Sequence, residues 1–136
     1  MKSATYFSLE LIDNKFWDQG IYYISQALQY MKKVTQLTIQ LGYNHLYSKS
    51  AQYIGQAIIE MTNIQDLSLQ LNHNQISDQG CQYIGESLQE MKSITMLSLY
   101  LDLNFISEQG AKYISKALTD MNNITKLSLS LNKKNN

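Results

Sequence analysis

A thirty-residue period governs the whole chain. The motif FSLEL at 7–11 returns as LTIQL at 37–41, LSLQL at 67–71, LSLYL at 97–101 and LSLSL at 127–131, with no insertion or deletion. Other columns keep the same step: Tyr23, Tyr53, Tyr83 and Tyr113; Met31, Met61, Met91 and Met121; Asn14, Asn44, Asn74 and Asn104. Self-similarity at a fixed period of this size restricts the fold to an array of stacked supersecondary units. Within a unit the hydrophobic period changes. Leu97, Leu99 and Leu101 alternate with Ser98 and Tyr100, as in a strand with one buried face. Ala111, Ile114, Ala117, Leu118 and Met121 then follow the spacing of one apolar helical stripe. Strands are expected near 7–11, 37–41, 67–71, 97–101 and 127–131, and helices near 18–31, 48–61, 78–91 and 108–121. Ser107 or Glu108, and Ser77 or Asp78 one repeat earlier, are suited to accept from the free amides at the helix starts. No single unit can bury both of its apolar faces, so the units stack into a curved α/β solenoid. Five parallel strands line one side and four helices the other.

These residues resemble the leucine-rich repeat family, whose pattern is L-x-x-L-x-L-x-x-N-x-L. The ribonuclease-inhibitor-like subfamily adds G-A-x-x-L-A-x-A-L after it. Ile94, Leu97, Leu99, Leu101, Asn104, Ile106, Gly110, Ala111, Ile114, Ala117 and Leu118 fill those roles here. The resemblance spans residues 5–132 and implies one domain over 1–136, a horseshoe-shaped, right-handed βα superhelix with a concave strand face and a convex helix face. The strand carries an additional x-L pair before the asparagine, which implies slightly longer strands and altered curvature than the usual unit of about 28 residues. Long repeats of this kind resemble arrays in protist proteins, some of which bear a kinase label. The family's asparagine has a structural role, and Asn14, Asn44, Asn74 and Asn104 are expected to form a ladder that satisfies backbone groups at the bends.

Composition narrows the classes of activity. Eleven basic side chains, all lysine, balance eleven acidic ones, so no net field selects nucleic acid or an anionic membrane. Without arginine there is no bidentate reader of guanine or phosphate. No apolar run reaches the roughly 18–20 residues of a membrane span, and the first ten residues carry no secretory h-region. A lone Cys81 forms no internal disulfide, and the expected location is cytoplasmic. The stretch 71–80, LNHNQISDQG, gathers Asn72, His73, Asn74 and Asp78, which invites a metal reading. Neither the His73 column nor the His45 column is kept, however, and no third or fourth ligand stands at zinc spacing. The acidic alternation of a calcium loop is absent. Cys81 replaces the helix alanines Ala51 and Ala111, as a small buried hydrophobe would. Phosphate-binding, kinase and hydrolase motifs are missing. Neither a cofactor nor an enzymatic activity is expected.

What varies over this frame is the solvent side of the strands. Positions 96, 98, 100 and 102 and their equivalents point into the concave surface. A surface residue set of Tyr100, Met96, Asp102, Asp66, Gln70, Gln40 and Glu10 combines an aromatic anchor with a polar rim, the usual profile of a protein-binding hot spot. The expected function is a non-enzymatic scaffold that binds another protein there. The alternatives are a structural component of a cytoskeletal or ciliary assembly, and the repeat segment of a multidomain kinase or GTPase-regulating protein. The array shows no capping repeat at either end, and Lys134 takes the fifth asparagine position. A longer array, self-association through the ends, or a covering partner is therefore expected.

Overall fold

Alternation along each short leucine-rich run produces a strand with one dry face. In β3, Asp66–Gln70, Leu67 and Leu69 are fully buried while Asp66, Ser68 and Gln70 remain half-exposed. The computed structural model describes residues 4–133. Lys134, the expected end of the asparagine ladder, lies outside the described residues. The other strands are β1 (Tyr6–Glu10), β2 (Gln36–Gln40), β4 (Met96–Tyr100) and β5 (Lys126–Ser130). They form one parallel sheet in the order β1-β2-β3-β4-β5, and every pair is offset by one repeat, as in Leu37↔Leu67 and Leu67↔Leu97. The ladder runs on past each strand: Leu41 N donates to Gln70 O at 2.8 Å and His73 N to Asp102 O at 2.8 Å. The strands begin and end one residue earlier than the sequence suggests, but Leu11, Leu41, Leu71 and Leu101 still donate to the next strand.

Four helices follow the strands: α1 (Asp18–Leu28), α2 (Ser48–Glu60), α3 (Ser77–Glu90) and α4 (Glu108–Asp120). Each stops short of its methionine. Met31, Met61, Met91 and Met121 donate their amides three residues back, to Leu28, Ile58, Leu88 and Leu118, which tightens the last turn and ends the helix. Neighbouring helices approach closely where the sequence supplies glycine. A Cβ at Gly85 would lie 2.9 Å from the Tyr113 carbonyl oxygen, and one at Gly55 would overlap Ser87 Oγ. The column of Gly55 and Gly85 thus receives the Tyr83–Ser87 and Tyr113–Ala117 faces of the next helix. Strand leucines, helix isoleucines and the returning Val34, Ile64 and Ile94 close one continuous core between the two layers.

The asparagine ladder occupies the bends. Asn74 Oδ1 accepts from Asn44 N (2.9 Å) and Leu46 N (3.0 Å), while its Nδ2 donates to Leu41 O (3.0 Å) and Leu71 O (2.9 Å). Asn44 does the same one step earlier, accepting from Asn14 N and Phe16 N. Asn104 accepts from Ile76 N and donates to Leu71 O and Leu101 O. Each rung joins two repeats through groups that neither sheet nor helix can satisfy. The bend has a conformational cost. Tyr43, His45, Leu103 and Phe105, which flank Asn44 and Asn104, have φ of 57–60°, a region that side chains disfavour. Fixing the asparagine between them points these flanking side chains out of the fold.

Candidate functional site

The concave face is built by register. Pairing sets Asp66 beside Met96 and Met96 beside Lys126, and aligns Glu10, Gln40, Gln70, Tyr100 and Ser130 in one row across the sheet. Except for exposed Glu10, the candidate contact residues are half-buried. Tyr100 Oη lies 2.9 Å from Ser128 Oγ, so the ring leans across β5 with its hydroxyl engaged. Asp102 Oδ1 accepts from Ser130 Oγ (2.6 Å) and from Asn132 N (2.7 Å). Asp102 therefore ties the last strand to β4 and offers a partner chiefly its second oxygen. Asp66 pairs with Met96 and Gln70 with Tyr100 across β3 and β4, and Ser68 and Ser98 join the two pairs into one patch. Gln40 and Glu10 extend its row toward β1.

The helix starts depart from the sequence reading. Ser107 does cap α4, accepting from Gln109 N at 3.2 Å. Asp78, expected to cap its own helix α3, instead caps the next one. Its Oδ1 accepts from Ser107 N (2.7 Å) and Gly110 N (3.0 Å), and its Oδ2 bonds Ser107 Oγ. Asp18 reaches the start of α2 in the same way, through Tyr47 N and Ser50 Oγ. No side-chain cap bond forms at α3, so Ser77 does not serve there. The physical reason is the offset between stacked units, which places an N-terminal carboxylate beside the following helix's free amides and positive dipole end. Two aspartates sixty residues apart, at 18 and 78, were the available signal.

Neither histidine gathers ligands. His73 stacks on Tyr43 with ring centroids 3.9 Å apart, and His45 stacks on Trp17 at 5.1 Å. Among the described residues no group of three His, Cys, Asp or Glu side chains is placed to hold a metal ion. Cys81 is fully buried. Burial, helped by the negative charge of Asp78, pushes its thiol up to about 12, so it stays protonated at neutral pH and offers no thiolate nucleophile. No helix among the described residues is long and apolar enough to cross a membrane.

A family model described as leucine-rich repeat matches residues 67–85, from β3 into the middle of α3. No curated protein matches the chain. Among solved structures, leiomodin-1 actin-binding site 2 superimposes with a TM-score of 0.71 at 17% identity, covering 89% of this chain and 68% of that one. At that identity the likeness speaks for the fold. The chain folds as a leucine-rich-repeat solenoid, with alternating strands and helices and one parallel sheet. The family match and the structural likeness together support a leucine-rich repeat protein.

Proposed function

We propose that the protein is a non-enzymatic scaffold that binds a protein partner through its concave face, centred on Tyr100 and Met96. The observation that carries this reading is the patch on β3 and β4. An aromatic ring and a thioether stand on one face of β4 with only Ser98 between them, and Asp66 and Lys126 lie on either side of Met96. Aromatic residues and methionine within a polar rim are the composition of interface cores. Asp102, Gln70, Gln40 and Glu10 supply the rim. The G-A-x-x-I helix signature at 110–114 supports placement in the ribonuclease-inhibitor-like branch, with long repeats like those of protist arrays. We place the protein in the cytoplasm. Affinity capture from the native source, with wild type and a Tyr100→Ala/Met96→Ala variant in parallel, tests the site. Partners retained equally by both would sink the concave-face assignment.

A second reading follows from the likeness to leiomodin-1 actin-binding site 2: a component of a cytoskeletal assembly. Co-sedimentation with filamentous actin tests it, and a chain left wholly in the supernatant rejects actin as the partner. The remaining alternative, the repeat segment of a larger kinase or GTPase regulator, places activity outside these residues and is read from the full open reading frame.

A further inference from the structure

The first repeat differs from the others in chemistry, and the difference is confined to particular columns. Where later repeats place Gln52, Gln82 and Lys112, it has Tyr22. Where they place Glu60, Glu90 and Asp120, it has Tyr30. Where they place Gln36, Asp66, Met96 and Lys126, it has Tyr6. Tyr6, Tyr23 and Tyr30 are 59%, 65% and 76% exposed. Tyr23, Ala27 and Tyr30 fall at i, i+4 and i+7, a single stripe along α1. In later repeats the first two positions of that stripe meet the preceding helix, while the third, Glu60, Glu90 or Asp120, is exposed. Ala57, Ser87 and Ala117 are buried there, and the Tyr83 and Tyr113 backbones lie against Gly55 and Gly85. Ala27 is exposed, so the Tyr23–Ala27 part of the stripe is that docking face without an occupant among the described residues, and Tyr30 extends it with a ring where later repeats carry an exposed carboxylate.

Among the described residues, strand β1 lies beside this stripe at the end of the sheet, with a partner on one side only. Natural edge strands are commonly guarded by lysine or proline. β5 opens on Lys126, whereas β1, YFSLE, has neither. Its inward Phe7 and Leu9 are half-exposed, while the equivalent Leu37 and Ile39 are buried. The β1 sequence is also self-complementary about Ser8. An antiparallel pairing on a two-fold axis through Ser8 sets Phe7 against Leu9 of the second copy on the core side. On the concave side it sets the Tyr6 hydroxyl against the Glu10 carboxylate, and both contacts occur twice.

We propose that two copies of this chain associate through the first repeat, with β1 paired antiparallel to β1 about Ser8 and the Tyr23–Ala27–Tyr30 stripes of the two α1 helices meeting beneath. The three tyrosines alone offer on the order of 400 Å² per copy, taking roughly 200 Å² for each full side chain. Phe7, Leu9, Ile12, Ala27 and the newly paired β1 backbone bring the surface toward the roughly 800 Å² per partner of a stable interface. β5 lacks the same combination: its leucines are exposed, but it presents Lys126 at the edge and no helix follows it among the described residues. Dimerisation at β1 joins two sheets into one of ten strands and leaves the Tyr100–Met96 patch of each copy free.

Sedimentation velocity and mild oxidation of variants with one introduced cysteine test the pairing on the intact chain. Wild type is expected at twice the 15.7 kDa chain mass at tens of micromolar. Ser8→Lys, which sets two ammonium groups face to face on the axis, is expected to halve that mass while keeping the far-ultraviolet circular dichroism. Ser128→Lys on β5 and Tyr100→Ala/Met96→Ala are expected to leave it dimeric. Ser8→Cys should cross-link to itself, because Cys81 is buried and out of reach, whereas Ser128→Cys should not. A monomeric wild type, a dimer that survives Ser8→Lys, or cross-linking at position 128 instead of 8 would each overturn the proposal. Since Ser8→Lys and Ser8→Cys on β1 leave the Tyr100–Met96 patch on β4 untouched, failure of their expected outcomes does not bear on partner binding there.

Discussion

Asn74 and Asn14 hold the same place in the repeat, yet they do different work. Asn74 is buried and satisfies two amides and three carbonyls drawn from two repeats. Asn14 is exposed, and its side chain makes a single bond, to Ile12 O at 3.0 Å. Its amide Oδ1, which in Asn44 and Asn74 gathers two donors from the preceding repeat, has no partner among the described residues. The residue type is constant; the neighbour is not. In a solenoid, the energy of a motif residue resides in the interface between units rather than in the unit.

The largest expected effect breaks this comparison directly. Asn74→Ala leaves several buried backbone groups unpaired and should cost about 4 kcal/mol, at roughly 1–3 kcal/mol for each group that finds no water. Asn14→Ala should cost under about 1 kcal/mol, because water reaches the Ile12 carbonyl. Urea denaturation of the two variants measures the contrast, and equal losses would show that the ladder acts within repeats instead of between them. Leucines obey the same logic. Leu69, fully buried, should lose about 3 kcal/mol as alanine, whereas Leu129, 39% exposed on β5, should lose about 1 kcal/mol. A larger loss at Leu129 would mean that a second molecule covers β5 in solution.

Reading columns explains what the sequence revealed and what it withheld. Strand positions, helix positions and the asparagine ladder recur at one step, so each is visible as a column, and the register Leu37↔Leu67↔Leu97 follows directly. Contacts between unlike columns are harder to see. Asp78 meets Ser107 and Gly110, 29 and 32 residues away, only because stacked helices are offset. Nothing in the local motif S-D-Q-G distinguishes a self-cap from a cap on the next helix. Asp102 was legible as a concave-edge residue, but its capture by Ser130 and Asn132 depends on the path of the chain after β5. The stacking of Tyr43 on His73 was similarly hidden, because it depends on both residues adopting positive φ.

Glycine gives a smaller contrast within one column. Gly85→Ala pushes a methyl against the Tyr113 carbonyl, a backbone atom that cannot swing aside, and should cost about 2 kcal/mol. Ser115 occupies the same column on α4 and is exposed. Ser115→Ala should be neutral or stabilising by a few tenths of a kcal/mol through helix propensity. Thermal denaturation separates the two, and a neutral Gly85→Ala would mean that α3 and α4 slide apart freely.

The smallest effect concerns the cap that crosses from α3 to α4. Ser107's hydroxyl holds the Asp78 carboxyl below its ordinary range of about 3.8, and the amides of Ser107 and Gly110 add to this against a partial opposing cost of burial. A carboxylate with a folded pKa below its unfolded one stabilises the fold above the unfolded pKa. That contribution fades as pH falls below 3.8 and is gone once pH drops through the lowered folded value. Asp78→Asn keeps the shape but removes the charge that faces the α4 dipole. The variant should be slightly less stable at neutral pH and should converge with wild type in acid. The difference between their denaturation midpoints, followed from pH 7 down to 3, measures this. A difference that stays constant over that range would assign the bond to shape alone. It would also leave the start of α4, with its aspartate, no different electrostatically from the start of α3, where no side-chain cap bond forms.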